Sequence, residues 1–136
     1  MKNILVTGGA GFIGSNFIPL FLDKNENVHV INLDLLTYAG DLNNLKEVEG
    51  NPHYTFVQGD ICDRKLVEEL FQKFNFSGVI HFAAESHVDN SIDGPEAFIR
   101  TNVFGTFSLL DVARKCWMQA LHPGAESLKI VVQPQR

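Results

Sequence analysis

The chain has 136 residues, 45% of them apolar and 20% charged, and a net charge of −5; these are the values of one globular domain long enough to bury a core. The acidic balance and the lack of a basic run argue against nucleic acid or an anionic membrane as the main partner. No apolar run is long enough to span a bilayer, and Met1-Lys2-Asn3 leads straight into an apolar run with no signal-peptide core, so a cytoplasmic chain is expected.

In chain order, residues 3–7 predict a first strand, and the amphipathic stretch 12–24 predicts a helix in which Pro19 implies a kink or a shifted boundary. Residues 28–33 predict a second strand ending at Asp34, residues 41–46 a short helix, and Tyr54 to Val57 a third strand. Asp63 can cap a helix running through Leu66, Val67, Leu70 and Phe71 to Phe74. Gly78 to Phe82 is a fourth strand. Pro95 suits the first turn of a longer helix reaching about Trp117, with Phe98, Ile99, Val103, Phe107, Leu110 and Val112 expected on its buried face. Residues 128–132 complete the pattern as a fifth strand. This alternation predicts an α/β, Rossmann-like, doubly wound parallel sheet with helices on both faces, binding ligand beyond the carboxyl ends of its strands where the strand order reverses.

The densest signal is Thr7-Gly8-Gly9-Ala10-Gly11-Phe12-Ile13-Gly14, set between a strand and a helix, with Asp34 twenty positions after Gly14. In such a turn Gly8 permits the sharp exit from the strand, Gly11 lets backbone approach a pyrophosphate, and Gly14 lets the helix pack closely. The amides at the helix start then face phosphate oxygens, with the helix dipole favouring negative charge. Asp34 is placed to accept hydrogen bonds from an adenosine ribose. A carboxylate there repels a 2′-phosphate, so NAD is expected rather than NADP.

Two further strand ends carry polar groups. After strand three, Asp60 could hold the exocyclic amine of an adenine and Ile61 could contact the ring through side chain or backbone; the alternative is a plain turn with Asp60 or Asp63 as a cap. After strand four come His81-Phe82-Ala83-Ala84-Glu85-Ser86-His87-Val88-Asp89. The small alanines admit a ligand close to backbone, which sets this loop between cofactor and substrate; the alternative is a solvated polar loop. Cys62 and Cys116 form no Cys-x-x-Cys pair and read as packing or surface thiols. The histidines lack metal-ligand spacing.

With these residues in view, the chain resembles the extended short-chain dehydrogenase/reductase superfamily. Thr-Gly-Gly-Ala-Gly-Phe-Ile-Gly-Ser at 7–15, Leu-Thr-Tyr-Ala-Gly at 36–40, Gly-Asp-Ile-Cys-Asp at 59–63, Ala-Ala-Glu-Ser-His-Val-Asp at 83–89 and Thr-Asn-Val-Phe-Gly-Thr at 101–106 are together similar to dTDP-glucose 4,6-dehydratases. The resemblance implies backbone contacts from Phe12 and Ile13 to the pyrophosphate. It implies that the segment Asp34, Leu35, Leu36 and Thr37 flanks the ribose, that Asp60 and Ile61 hold the adenine, and that Phe82, Ala83, Ala84 and Ser86 line the nicotinamide side. Ser86 would also lie near the sugar, and Thr101 would be a further cofactor contact. Many relatives carry Lys where this chain has Leu35.

The family reaction moves a hydride from sugar C4 to NAD, eliminates water across C5 and C6, and returns the hydride to C6. It uses a Tyr with a Lys four residues later, and a Thr-Asp-Glu run after strand five. Here Tyr38 is followed at that distance by Leu42 and Tyr54 by Gln58, and Thr-Asp-Glu does not occur. The 136 residues are therefore expected to form an incomplete, truncated NAD-binding domain, inactive alone, of a protein acting on dTDP-glucose. A nucleotide-sugar 4-epimerase fragment and a non-catalytic dinucleotide-binding module are the alternatives. Because relatives pair through helices including that near 96–117, and a sixth strand would leave the sheet edge open by its absence, a homodimer is also expected.

Overall fold

In the computed structural model of the chain, residues 1–36, 41–83, 95–119 and 129–132 are described. Five strands, β1 (Lys2–Thr7), β2 (Val28–Asp34), β3 (Tyr54–Gln58), β4 (Gly78–His81) and β5 (Lys129–Val132), form one sheet in the order β3-β2-β1-β4-β5. Every neighbouring pair is parallel, which requires crossover connections rather than tight hairpins. The helices are α1 (Phe12–Lys24), α2 (Arg64–Phe74), α3 (Pro95–Ile99) and α4 (Thr106–Gln119), with a π-helical segment, Arg100–Gly105, joining the last two.

Chain order reverses beside β1: β2 and β3 continue to one edge, while β4 and β5 lie on the other side. The register sets Thr7 opposite both Leu33 and His81, and Asp34 opposite Gln58. Four strands thus finish nearly level, and the residues that follow them face one crevice.

Strand alternation sends side chains to two cores. Leu5, Ile31, Leu33 and Val79 meet Val67, Leu70 and Phe71 of α2 and Leu109, Val112 and Ala113 of α4. Val6, Val30 and Phe82 meet Ile18 of α1 together with Leu45 and Val48. Asp63 accepts from the amide of Leu66 at 3.2 Å and starts α2 as expected. Asn75, at φ 51°, ends it in the left-handed conformation. Among the described residues no helix is long and apolar enough to cross a membrane.

Two local expectations are sharpened and one is corrected. Pro19 lies inside α1, whose bounds are the expected ones; Ile18 is buried on the sheet and Phe17 stacks on Phe21 beside it. The short helix expected over residues 41–46 is a 3-10 turn over Leu42–Leu45, begun by Asp41 accepting from the amide of Asn43. The correction concerns residues 95–119. The buried face is Gly105, Ser108, Leu109, Val112 and Ala113. Ile99, Val103, Phe107 and Leu110, expected inside, are 50%, 56%, 61% and 41% exposed. Of the expected set only Val112 is buried; the side chain of Phe98 lies outside the described residues. Both stripes are apolar, and α2 and the sheet meet the one built of smaller side chains, which lets α4 approach closely.

Candidate functional site

The glycine turn is shaped by close packing. Gly8 sits at φ +68°, and a Cβ there would lie 2.6 Å from the amide nitrogen of Ala83. It is thus glycine on two counts, the left-handed backbone and the strand end that presses on it. A Cβ at Gly14 would lie 2.5 Å from Gly9 Cα, so the helix start rests on the turn itself. Gly11 is the N-cap of α1 in extended conformation, and its carbonyl accepts from the amide of Ser15 at 2.9 Å. The amides of Phe12, Ile13 and Gly14 therefore belong to the first turn, where no intrahelical acceptor exists. The side chain of Phe12 is 73% exposed beside them.

The end of β2 anchors this turn. One carboxylate oxygen of Asp34 accepts from the amide of Ala10 at 2.8 Å and the other from the amide of Leu36 at 2.8 Å. Each oxygen keeps one lone pair for a ligand. Asp34 is buried, and Leu36 takes φ +61° as the chain bends around it; Leu35 is exposed. Asn32, fully buried, accepts from the amide of Gly9 at 2.9 Å and donates to Tyr54 Oη at 3.1 Å. Burial raises the Tyr54 phenol above its ordinary pKa, so it stays protonated within this network.

At the end of β3, one Asp60 oxygen accepts from the amide of Cys62 at 2.8 Å and the other meets Arg100 Nη1 at 3.3 Å. Ile61 is buried in the α2–α4 core, and a Cβ at Gly105 would lie 2.5 Å from its Cδ1. Of the two routes expected for a ring contact, side chain or backbone, the side chain is taken up by the core. Cys62 donates weakly to the carbonyl of Arg100 at 3.5 Å, and burial raises its pKa.

At the end of β4, the amide of Phe82 donates to the carbonyl of Thr7 at 2.8 Å, while the Phe82 ring packs edge-on against Phe17 with centroids 5.4 Å apart. Phe82 therefore offers backbone alone. The amide of Ala83 donates to Thr7 Oγ1 at 3.3 Å. His81 lies between Thr7 Oγ1, 2.5 Å from its Nδ1, and Thr106 Oγ1, 2.9 Å from its Nε2. Desolvation pushes its pKa down to about 4, so the ring is neutral near pH 7.

The structure brings Gly8, Gly11, Phe12, Ile13, Gly14, Asp34, Asp60, Ile61, Phe82 and Ala83 to one end of the sheet, at strand ends or in the turns after them. Leu35 and Leu36 follow Asp34, and Thr101 lies half-buried on the π segment. Thr37, Ala84 and Ser86 lie outside the described residues. Sequence reasoning missed Asn32 and the set Thr7, His81 and Thr106. A polar residue amid the apolar run 28–33, and a histidine inside a strand, were the available signals.

A parallel sheet whose order reverses beside a glycine turn, with a helix start and a strand-end carboxylate at the crevice, defines a Rossmann-like fold. More narrowly, the chain belongs to the GDP-mannose 4,6 dehydratase family, whose profile matches residues 5–130. It is 50% identical over 117 residues to a dTDP-glucose 4,6-dehydratase of Haemophilus influenzae, a match covering 86% of this chain and 34% of that protein. A dTDP-glucose 4,6-dehydratase of Bacillus anthracis crystallised with NAD superposes with a TM-score of 0.79 at 40% identity, over 97% of this chain and 37% of that one. A UDP-glucose 4-epimerase of Thermotoga maritima, crystallised with UDP-glucose, gives a TM-score of 0.76 at 31% identity, over 95% and 37%. The chain spans about a third of the length of the curated relatives it matches.

Proposed function

We propose that this chain is the NAD-binding part of a nucleotide-sugar dehydratase acting on dTDP-glucose. The observation that carries the reading is the crowded glycine turn tied to Asp34. Gly8 and Gly14 admit no side chain, so backbone alone forms the wall a pyrophosphate would meet. The amides of Phe12 and Ile13 would hold the phosphates, Asp34 the ribose, Asp60 and the Ile61 backbone the adenine, and Ala83 and Thr101 the nicotinamide side. Leu35, Leu36, Thr37, Ala84 and Ser86 complete the proposed lining, with Ser86 also toward the sugar. Bound NAD would supply a hydride acceptor and donor for oxidation at sugar C4 and reduction at C6. The carboxylate of Asp34 is fixed by two backbone amides and cannot swing away from a 2′-phosphate, which supports NAD over NADP.

The dehydratase reading is supported over the epimerase reading by the 50–54% identities to dTDP-glucose 4,6-dehydratases, against 31% for the superposed T. maritima epimerase. The chain has no Tyr-x-x-x-Lys pair and no Thr-Asp-Glu run, so these residues bind and orient but supply no base for the C4 step. Turnover of dTDP-glucose by the isolated chain is expected to be undetectable.

The exposed stripe of Ile99, Val103, Phe104, Phe107, Leu110 and Met118 runs for roughly 30 Å of helix. An apolar stripe of that length marks an interaction surface, and a second copy of the protein is its proposed partner.

Calorimetric titration of NAD into the purified chain, with NADP as control, tests the reading. Saturable binding that favours NAD is expected. A folded chain that binds neither dinucleotide contradicts it.

A further inference from the structure

The ends of β1 and β4 and the start of α4 are joined by hydrogen bonds, the one between Thr7 and His81 buried and the others part-buried. Thr7 is 0% and His81 2% exposed. His81 spans Thr7 Oγ1 and Thr106 Oγ1 at 2.5 and 2.9 Å, and Thr7 Oγ1 also receives the amide of Ala83 at 3.3 Å. With the ring proton on Nε2, each group has a partner: the Thr7 hydroxyl donates to Nδ1 and Nε2–H donates to Thr106. Thr106 is the first residue after the π segment. The six residues of that segment include Arg100, which meets Asp60, and Thr101. A π segment has a wider turn than the α-helix on either side and is found at functional sites. Something must fix where it stops, and the imidazole holds that point to the sheet.

We propose that His81 is a positioning residue: as a neutral bridge from Thr7 to Thr106, it sets the π segment carrying Thr101 against the Gly8–Ala83 wall and so tunes dinucleotide affinity. The inference rests on the NAD-binding reading above. The bridge touches no ligand; it acts through the two walls it joins. A charged ring would lose its acceptor for the Thr7 hydroxyl, and its low pKa keeps it neutral at the pH of binding.

The test compares NAD affinities, per folded molecule, of the full chain and three variants. Thr106→Val keeps the shape of the side chain but removes the hydroxyl, and is expected to weaken NAD binding about tenfold. Thr106→Ser restores the hydroxyl and should return affinity to near the parent value, a rescue that a packing role would not give. Thr55→Val removes a threonine–histidine bond of 2.7 Å to His29, away from the crevice, and should leave affinity unchanged. Imidazole NMR of the parent chain adds a readout independent of variant folding: His81 should remain neutral down to about pH 5. Equal NAD affinity in Thr106→Val and parent, or a His81 ring that titrates like a free histidine, overturns the bridge while leaving the NAD reading intact. A parent chain that binds no NAD overturns the reading itself.

Discussion

The glycine turn and the helix of residues 95–119 are held in place by different kinds of constraint. At Gly8 the backbone conformation and the 2.6 Å approach to Ala83 leave one residue type that fits. Along α4, Leu109 and Val112 are buried while Phe107 and Leu110 are exposed, although all four are apolar and sit on the same helix. The first constraint is local and steric. The second is a choice between two faces, made by what the sheet and α2 can accept. A residue governed by the first cannot be exchanged; a residue governed by the second owes its role to its neighbours.

The largest effect should come from breaking the local constraint. Gly8→Ala forces a left-handed non-glycine residue and a Cβ clash with backbone, and should lower NAD affinity on the order of a hundredfold. Titration of the folded variant checks it. On the buried face of α4, Leu109→Ala should cost about 2–5 kcal/mol of stability in urea unfolding. Its counterpart on the exposed face, Phe107→Ala, should change stability by under about 0.5 kcal/mol while shifting light-scattering mass toward monomer. Equal costs for the two substitutions would erase the distinction between the faces.

The His81 bridge gives a pH-dependent version of the same comparison. Its folded pKa of about 4 lies below the ordinary histidine value of 6.5, so the unfolded chain takes up the proton first as pH falls. Stability should therefore decline as pH drops from about 6.5 to about 4, by roughly 3 kcal/mol at most. His81→Leu should flatten that part of the profile. The smallest effect is expected for Leu35→Lys at the exposed residue after Asp34, within about 0.5 kcal/mol of stability.

How much could be read in advance follows from the same contrast. The five strands, their parallel class, α1 over 12–24 and the Asp63 cap were legible because period, glycine and cap chemistry act within a few residues. The same local signals set Gly8, Asp34, Asp60 and Ala83 at strand ends or in the turns after them, where the structure has them. The buried face of residues 95–119 was not legible: an apolar stripe at helical spacing has no mark telling whether the core or a partner covers it. The choice between side chain and backbone at Ile61 stayed open for a related reason, since the burial of its side chain depends on Gly105, more than forty positions later. The bridge of Thr7, His81 and Thr106 joins three distant segments, and no spacing rule connects them.

The most direct test of the central claim is an amide NMR titration of the chain with NAD. Shifts concentrated at Gly8 to Gly14, Asp34 to Leu36, Asp60 to Ile61, Ala83 and Thr101 are predicted, with little change along Phe107, Leu110 and Met118. Saturable shifts centred on that exposed stripe, with the glycine turn unmoved, would contradict the account.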